Sequence, residues 1–261
     1  MMKSLVKHDL KKMFKVLVYI YVICIALAGI TRLINIGKNI QAIAIIGGIF
    51  AGLTYSAIAS VLVNTFVHIL RVFICGFYRD ESYLTHTLPV SKNKLLLSKY
   101  LASLIVILAS VLVCILSLGI VLYSESLIQA IKGMLEVAVS GFDMSIGGFL
   151  TLMIFIIFSQ ICSMMSMAFC AIIIANTYNT KKVVKGLIWF FAFYFGAMNL
   201  LLIIAVIGFA ITGNLSQLFA NVLSQGAFIG IMVLGLVMYI IYAIIFYLIS
   251  NKIFNKGVNV D

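Results

Sequence analysis

The chain has little charge and almost no helix-breaking proline. Only 10% of its 261 residues are charged, seven residues are acidic, and Pro89 is the single proline. Hydrophobic residues make up 64% of the chain, against about 45–50% in soluble domains. This composition excludes an ordinary soluble domain and predicts an all-α protein that crosses a membrane several times.

Residues that carry catalysis or bind metals are also scarce. The three histidines, His8, His68 and His86, are far apart, and no H-E-x-x-H pair occurs. The five cysteines are scattered through apolar stretches without a C-x-x-C pair, as expected of small buried residues. There is no G-x-S-x-G motif and no G-x-x-x-x-G-K-[ST] phosphate loop. The sequence therefore predicts no metal site, no bound cofactor and no enzymatic activity of its own.

Six apolar stretches approach or exceed the roughly 20 residues that a membrane span requires. They cover 16–36, 40–70, 99–123, 146–176, 187–212 and 226–250.

The positive charges indicate how these spans are oriented. All but three of the 18 lysines and arginines fall before the first span, around the second connection, around the fourth connection or after the sixth span. The exceptions are Arg32, Lys38 and Lys132. Since positively charged loops stay in the cytoplasm, both termini are expected to be cytoplasmic. The net charge of +11 then reflects topology rather than nucleic-acid binding, and residues 1–261 form one membrane domain.

The N-terminal residues have an amphipathic pattern. Hydrophobic side chains recur at helical spacing over 2–15, and five lysines fill the other side. This pattern predicts an interfacial helix over 1–15 whose lysines meet anionic lipid headgroups. The alternative is a charged flank of the first span.

The longest polar run, 79–94, follows the second span. Asp80 is a suitable N-cap, and Glu81 adds negative charge where the helix dipole is positive. Pro89 ends the helix because it lacks an amide and disfavours helical geometry in the residue before it. A short helix over 80–89 is predicted, with Ser91 capping the helix that follows.

The segment from Tyr78 to Ser91, Y-R-D-E-S-Y-L-T-H-T-L-P-V-S, resembles the permease subunits of bacterial ABC-2 type transporters. The amphipathic basic start and the six spans with both ends inside are similar to that family as well. The resemblance implies that helix 80–89 is a coupling helix that docks in a separately encoded ATPase. The residues expected at that contact are Asp80, Glu81, Tyr83, Leu84, His86, Thr87, Leu88 and Pro89.

The resemblance also implies the partners and the location. ATP and magnesium are expected on the partner ATPase, and a second permease copy is expected to complete a homodimer or heterodimer. The chain would lie in the bacterial cell membrane, in contact with lipid. Its cargo is expected to be amphipathic or hydrophobic, for example a toxic or antimicrobial peptide.

Few polar or adaptable side chains occur within the spans, and four of them are predicted to line a translocation path: Asn64, His68, Met164 and Asn199. Hydrogen bonding between helices, or simple filling in the case of methionine, is the alternative. The patterns Gly48-x-x-x-Gly52 and Gly226-x-x-x-Gly230 would permit close helix packing within or between protomers.

Two other functions fit the composition. One is a membrane immunity or scaffold protein that binds a peptide or partner without pumping, and therefore works without an ATPase. The other is an intramembrane enzyme, for which the sequence lacks a catalytic constellation.

Overall fold

The computed structural model describes residues 2–36, 41–79, 90–122, 129, 132–136, 145–178, 180–212 and 224–256. Six long helices account for most of them: α1 Met2–Ile36, α2 Gln41–Tyr78, α3 Lys92–Leu122, α4 Ile146–Ala175, α5 Lys182–Ile211 and α6 Gln225–Lys256. A short helical stretch covers 132–136, and none of the described ranges contains a strand. Each long helix is long and apolar enough to cross a membrane. The predicted all-α, multi-pass architecture is confirmed at this level.

Five of the six long helices are longer than the apolar stretches predicted for them, and α4 is one residue shorter than its stretch 146–176. The expected interfacial helix over 1–15 is wrong as a separate element, since α1 runs without a break over Met2–Ile36. The alternative, a charged flank of the first span, fits this helix. The 38-residue α2 is one unbroken helix, about 57 Å long at 1.5 Å per residue, against a hydrocarbon core of about 30 Å. The predicted helix 80–89 lies outside the described residues.

The chain divides into two compact units, Met1–Ala130 and Ile131–Asp261, a division that the prediction of one domain over 1–261 did not contain. In the N-terminal unit, α1 packs against both α2 and α3. The buried positions of α1 recur every three or four residues and so share one face. They are Asp9, Met13, Leu17, Tyr21, Cys24, Ala28 and Thr31.

The buried face of α3 is built largely from small side chains. Ser103, Ser110 and Ser117 follow one another at seven-residue spacing and are fully buried. Small residues at this spacing let neighbouring helices approach closely and offer hydroxyl groups for hydrogen bonds between helices.

In the C-terminal unit, α4 packs against both α5 and α6. Met167, Met238 and Tyr242 form its buried apolar cluster. The Tyr242 hydroxyl donates to the Ala197 carbonyl oxygen at 2.9 Å, which ties α6 to α5. No residue of α5 is fully buried, so much of this helix presents an apolar surface.

The two glycine patterns do not make close helix contacts within the described chain. A Cβ at Gly48, Gly52, Gly226 or Gly230 would meet no atom within 4 Å. The close approach of α2 to α1 falls at Gly47 instead, where a Cβ would lie 3.0 Å from Asn35 Oδ1. A role for the patterns between two copies stays a prediction.

Candidate functional site

A buried ion pair joins α1 to α3. Lys99 Nζ lies 2.8 Å from Asp9 Oδ1, and the two residues are only 6% and 7% exposed. The Ser98 hydroxyl donates to the other carboxylate oxygen, Asp9 Oδ2, at 3.4 Å. Removing one member of such a pair strands an uncompensated buried charge, which typically costs about 3–5 kcal/mol.

The last turn of α2 completes this site. The Lys99 ammonium lies 5.4 Å from the centroid of the Phe77 ring, within the range of a cation–π interaction. Gly76 leaves the space that the ammonium occupies, because a Cβ there would lie 2.9 Å from Lys99 Nζ. Asp9, Gly76, Phe77, Ser98 and Lys99, here called the Asp9 cluster, thus bring all three helices of the N-terminal unit together.

The Asp9 cluster lies in the helices that flank segment 80–89 in the sequence. Phe77 is in the last turn of α2, which ends at Tyr78. The α3 helix opens where the sequence predicted, with the Ser91 carbonyl accepting from the amides of Lys94 at 2.9 Å and Leu95 at 3.2 Å. The cluster therefore joins the last turn of α2, before segment 80–89, to a position about two turns into α3, after it.

Further hydroxyl contacts link the same three helices. Ser110 Oγ is within hydrogen-bonding distance of both the Tyr21 hydroxyl, at 2.6 Å, and Thr65 Oγ1, at 2.8 Å. Nearer the other end of α1, the Thr31 and Thr54 hydroxyl oxygens are 2.7 Å apart. Polar contacts therefore recur along the buried face of the N-terminal unit, with the charged pair near one end.

The residues predicted to line a translocation path are divided between the two units, with Asn64 and His68 in the first and Met164 and Asn199 in the second. Asn64 is exposed and donates to the Ser60 carbonyl oxygen of its own helix at 2.9 Å. Asn199 is likewise exposed and donates to the Phe195 carbonyl oxygen at 2.8 Å. Each amide thus donates to the backbone of its own helix, and among the described residues neither forms a hydrogen bond to another helix.

His68 and Met164 have different surroundings. His68 lies against the backbone of Met13 on α1, with Lys12 and Arg71 nearby. Its Nε2 atom is buried and has no hydrogen-bond partner in the described part of the chain. Met164, in the C-terminal unit, lines a cleft between α4, α5 and α6.

This aromatic cleft has a volume of about 260 Å³. Its lining is mostly aromatic rings and methionines, with Gln160 and Ser163 adding polar atoms. The lining residues are Gln160, Ser163, Met164, Met167, Phe190, Phe191, Tyr194, Ala197, Met198, Tyr239 and Tyr242.

Sequence reasoning missed the Asp9 cluster. It counted Lys99 among the cations around the second connection and in the segment that resembles the permease family, and it gave Asp9 no role. A signal was nevertheless present: Asp9 precedes Met13 and Leu17 at four-residue intervals, so it extends the apolar face of α1. A single acidic residue on the buried face of a helix predicts a buried cation nearby, because an unpaired buried carboxylate is costly.

Within the described residues, no group of histidine, cysteine or acidic side chains is arranged to hold a metal ion. The local chemistry is that of packing, ion pairing and hydrogen bonding. Comparison with protein-family models, curated proteins and solved structures found no match.

Proposed function

We propose that this chain is the membrane-spanning permease subunit of an ATP-driven exporter of the ABC-2 kind. Segment 80–89 would be the docking element for a separate ATPase, which would bind ATP and magnesium. The cargo would be amphipathic or hydrophobic and would cross the bacterial cell membrane. A second permease copy would complete the transporter.

The observation that supports this proposal best is the Asp9 cluster, which ties together α1 and the two helices that flank segment 80–89 in the sequence. A docking element transmits force only if it is attached to something stiff. Here the ion pair holds α3 to α1, and the contact between the Lys99 ammonium and the Phe77 ring holds the end of α2 to α3.

This arrangement gives a route from the ATPase to the spans. A displacement of segment 80–89 would move the end of α2 and the start of α3, and the Asp9–Lys99 contact would carry α1 with them. Two states of an ATPase dimer would then favour two arrangements of these helices, which is how a ligand-driven switch biases a membrane protein.

The composition of the segment suits a protein interface. Asp80 and Glu81 supply negative charge for a basic partner surface, and Tyr83, Leu84 and Leu88 supply anchors of the kind that dominate interface energetics.

Photo-crosslinking in intact cells tests this docking. We expect Tyr83→p-benzoylphenylalanine to give an adduct with an ATP-binding subunit, identified by mass spectrometry. The same replacement at Tyr19, which is 71% exposed on α1 within a membrane-spanning stretch, is the matched control and should give no such adduct. If position 83 gives an adduct no more often than position 19, segment 80–89 does not dock an ATPase.

A further inference from the structure

The aromatic cleft of the C-terminal unit offers rings and sulfur atoms to an occupant. Phe190 and Tyr194 stack on α5 with their ring centroids 6.5 Å apart, and Tyr239 of α6 lines the same cleft. Methionine side chains contact aromatic rings favourably and adapt to irregular shapes. A planar ring can therefore make edge and face contacts on several sides of this cleft.

A plain alkyl chain would gain little binding free energy in this cleft. Between apolar groups in a membrane there is no hydrophobic driving force, because lipid tails are as apolar as the protein surface. An occupant that displaces lipid must gain ring packing, hydrogen bonds or both.

Gln160 supplies the hydrogen-bonding group. Its side chain is exposed and lines the cleft, and no hydrogen bond ties it to its own helix, in contrast to Asn64 and Asn199. In hydrocarbon an unsatisfied amide is costly, so a ligand that brings a complementary polar group is favoured over lipid.

We propose that this cleft binds the aromatic ring of an amphipathic molecule whose amide group hydrogen-bonds to Gln160. The volume limits what enters. Drug-sized sites measure about 300–1,000 Å³, and at about 260 Å³ the cleft takes one ring with its polar substituent while the rest of the molecule stays outside. The inference does not depend on the exporter proposal, since it concerns binding to the chain alone.

Photolabelling of the full chain in lipid nanodiscs tests it. The probe is an N-butylbenzamide that carries a trifluoromethyl diazirine on the ring, and its control is the same diazirine with a butyl group in place of the butylamide. We expect saturable labelling by the amide probe, mapped to the cleft residues of α4, α5 and α6. The control should label diffusely and without saturation.

Variants separate specific binding from partitioning. Gln160→Leu should weaken saturable labelling about three- to tenfold through loss of the hydrogen bond. Thr151→Val is the matched control, because Thr151 is an exposed polar residue of the same helix that bonds its own backbone, and it should change nothing. Ser163→Leu should abolish labelling of the cleft by filling it. Equal labelling by both probes, or no effect of Gln160→Leu, would overturn the proposal.

Discussion

Replacing one member of the buried ion pair should destabilise the protein far more than replacing both members together. Asp9 and Lys99 are almost completely buried and 2.8 Å apart, so Asp9→Leu or Lys99→Met each leaves one charge without its counter-charge. We expect each single change to lower the free energy of unfolding by about 3–5 kcal/mol. The double change leaves no stranded charge and should fall within about 1 kcal/mol of the wild type, or above it.

The two single variants should also differ. In Asp9→Leu the ammonium keeps its contact with the Phe77 ring, which is worth about 0.5–2 kcal/mol. In Lys99→Met the carboxylate keeps, among the described residues, only the Ser98 hydroxyl as a hydrogen-bond donor, so this variant should be the less stable one.

Reversible unfolding in mixed micelles, followed by circular dichroism, measures these values. Lys7→Met removes an exposed lysine of the same helix and should change stability by less than about 0.5 kcal/mol. Two small and additive single effects, each below about 1 kcal/mol, would mean that the pair behaves as a surface salt bridge, and the reasoning would be refuted.

Three further outcomes are expected. In the same unfolding assay, Gly76→Ala should destabilise the protein because the new methyl group displaces the Lys99 ammonium. Gly52→Ala in the same helix should instead stabilise it by up to about 1 kcal/mol, because nothing lies within 4 Å of a Cβ at this position. Ser110→Ala should cost about 0.6–1.7 kcal/mol in that assay, because two hydroxyls on neighbouring helices lose a shared partner. A membrane-impermeant maleimide should label Glu136→Cys, on the predicted outer side, in intact cells. It should label Thr180→Cys, on the predicted cytoplasmic side, only after permeabilisation, with the wild-type chain as the blank. The reverse pattern would contradict the predicted orientation.

The sequence predicted the six long apolar helices because composition and uninterrupted apolar runs determine both their number and their type. The single proline and the long hydrophobic stretches leave few other structures for a chain in a bilayer. The helix ends were less predictable, since hydropathy marks the hydrocarbon core. The α1 helix begins within its lysine-rich flank, and α2 continues eight residues beyond the predicted end of its span at residue 70.

The polar contacts between helices could not be read from the sequence in the same way. Tyr21, Thr65 and Ser110 are ordinary residues of apolar helices, and their contact depends on the rotation and vertical offset of three helices. Amides such as Asn64 drew attention by their polarity, yet a helix satisfies such a side chain on its own backbone. Residue type thus predicted polarity, and packing decided which polar groups meet.

ATP hydrolysis by material purified through a tag on this chain tests the central claim most directly. The wild type and Glu136→Lys, a charge reversal in the described stretch 132–136, should both carry an ATP-hydrolysing subunit and show the same hydrolysis rate. Glu81→Lys reverses the charge in the proposed docking segment and should lose both the subunit and the activity while the chain stays folded. Folded wild-type protein that carries no ATP-hydrolysing subunit, or Glu81→Lys that retains full activity, would contradict the account.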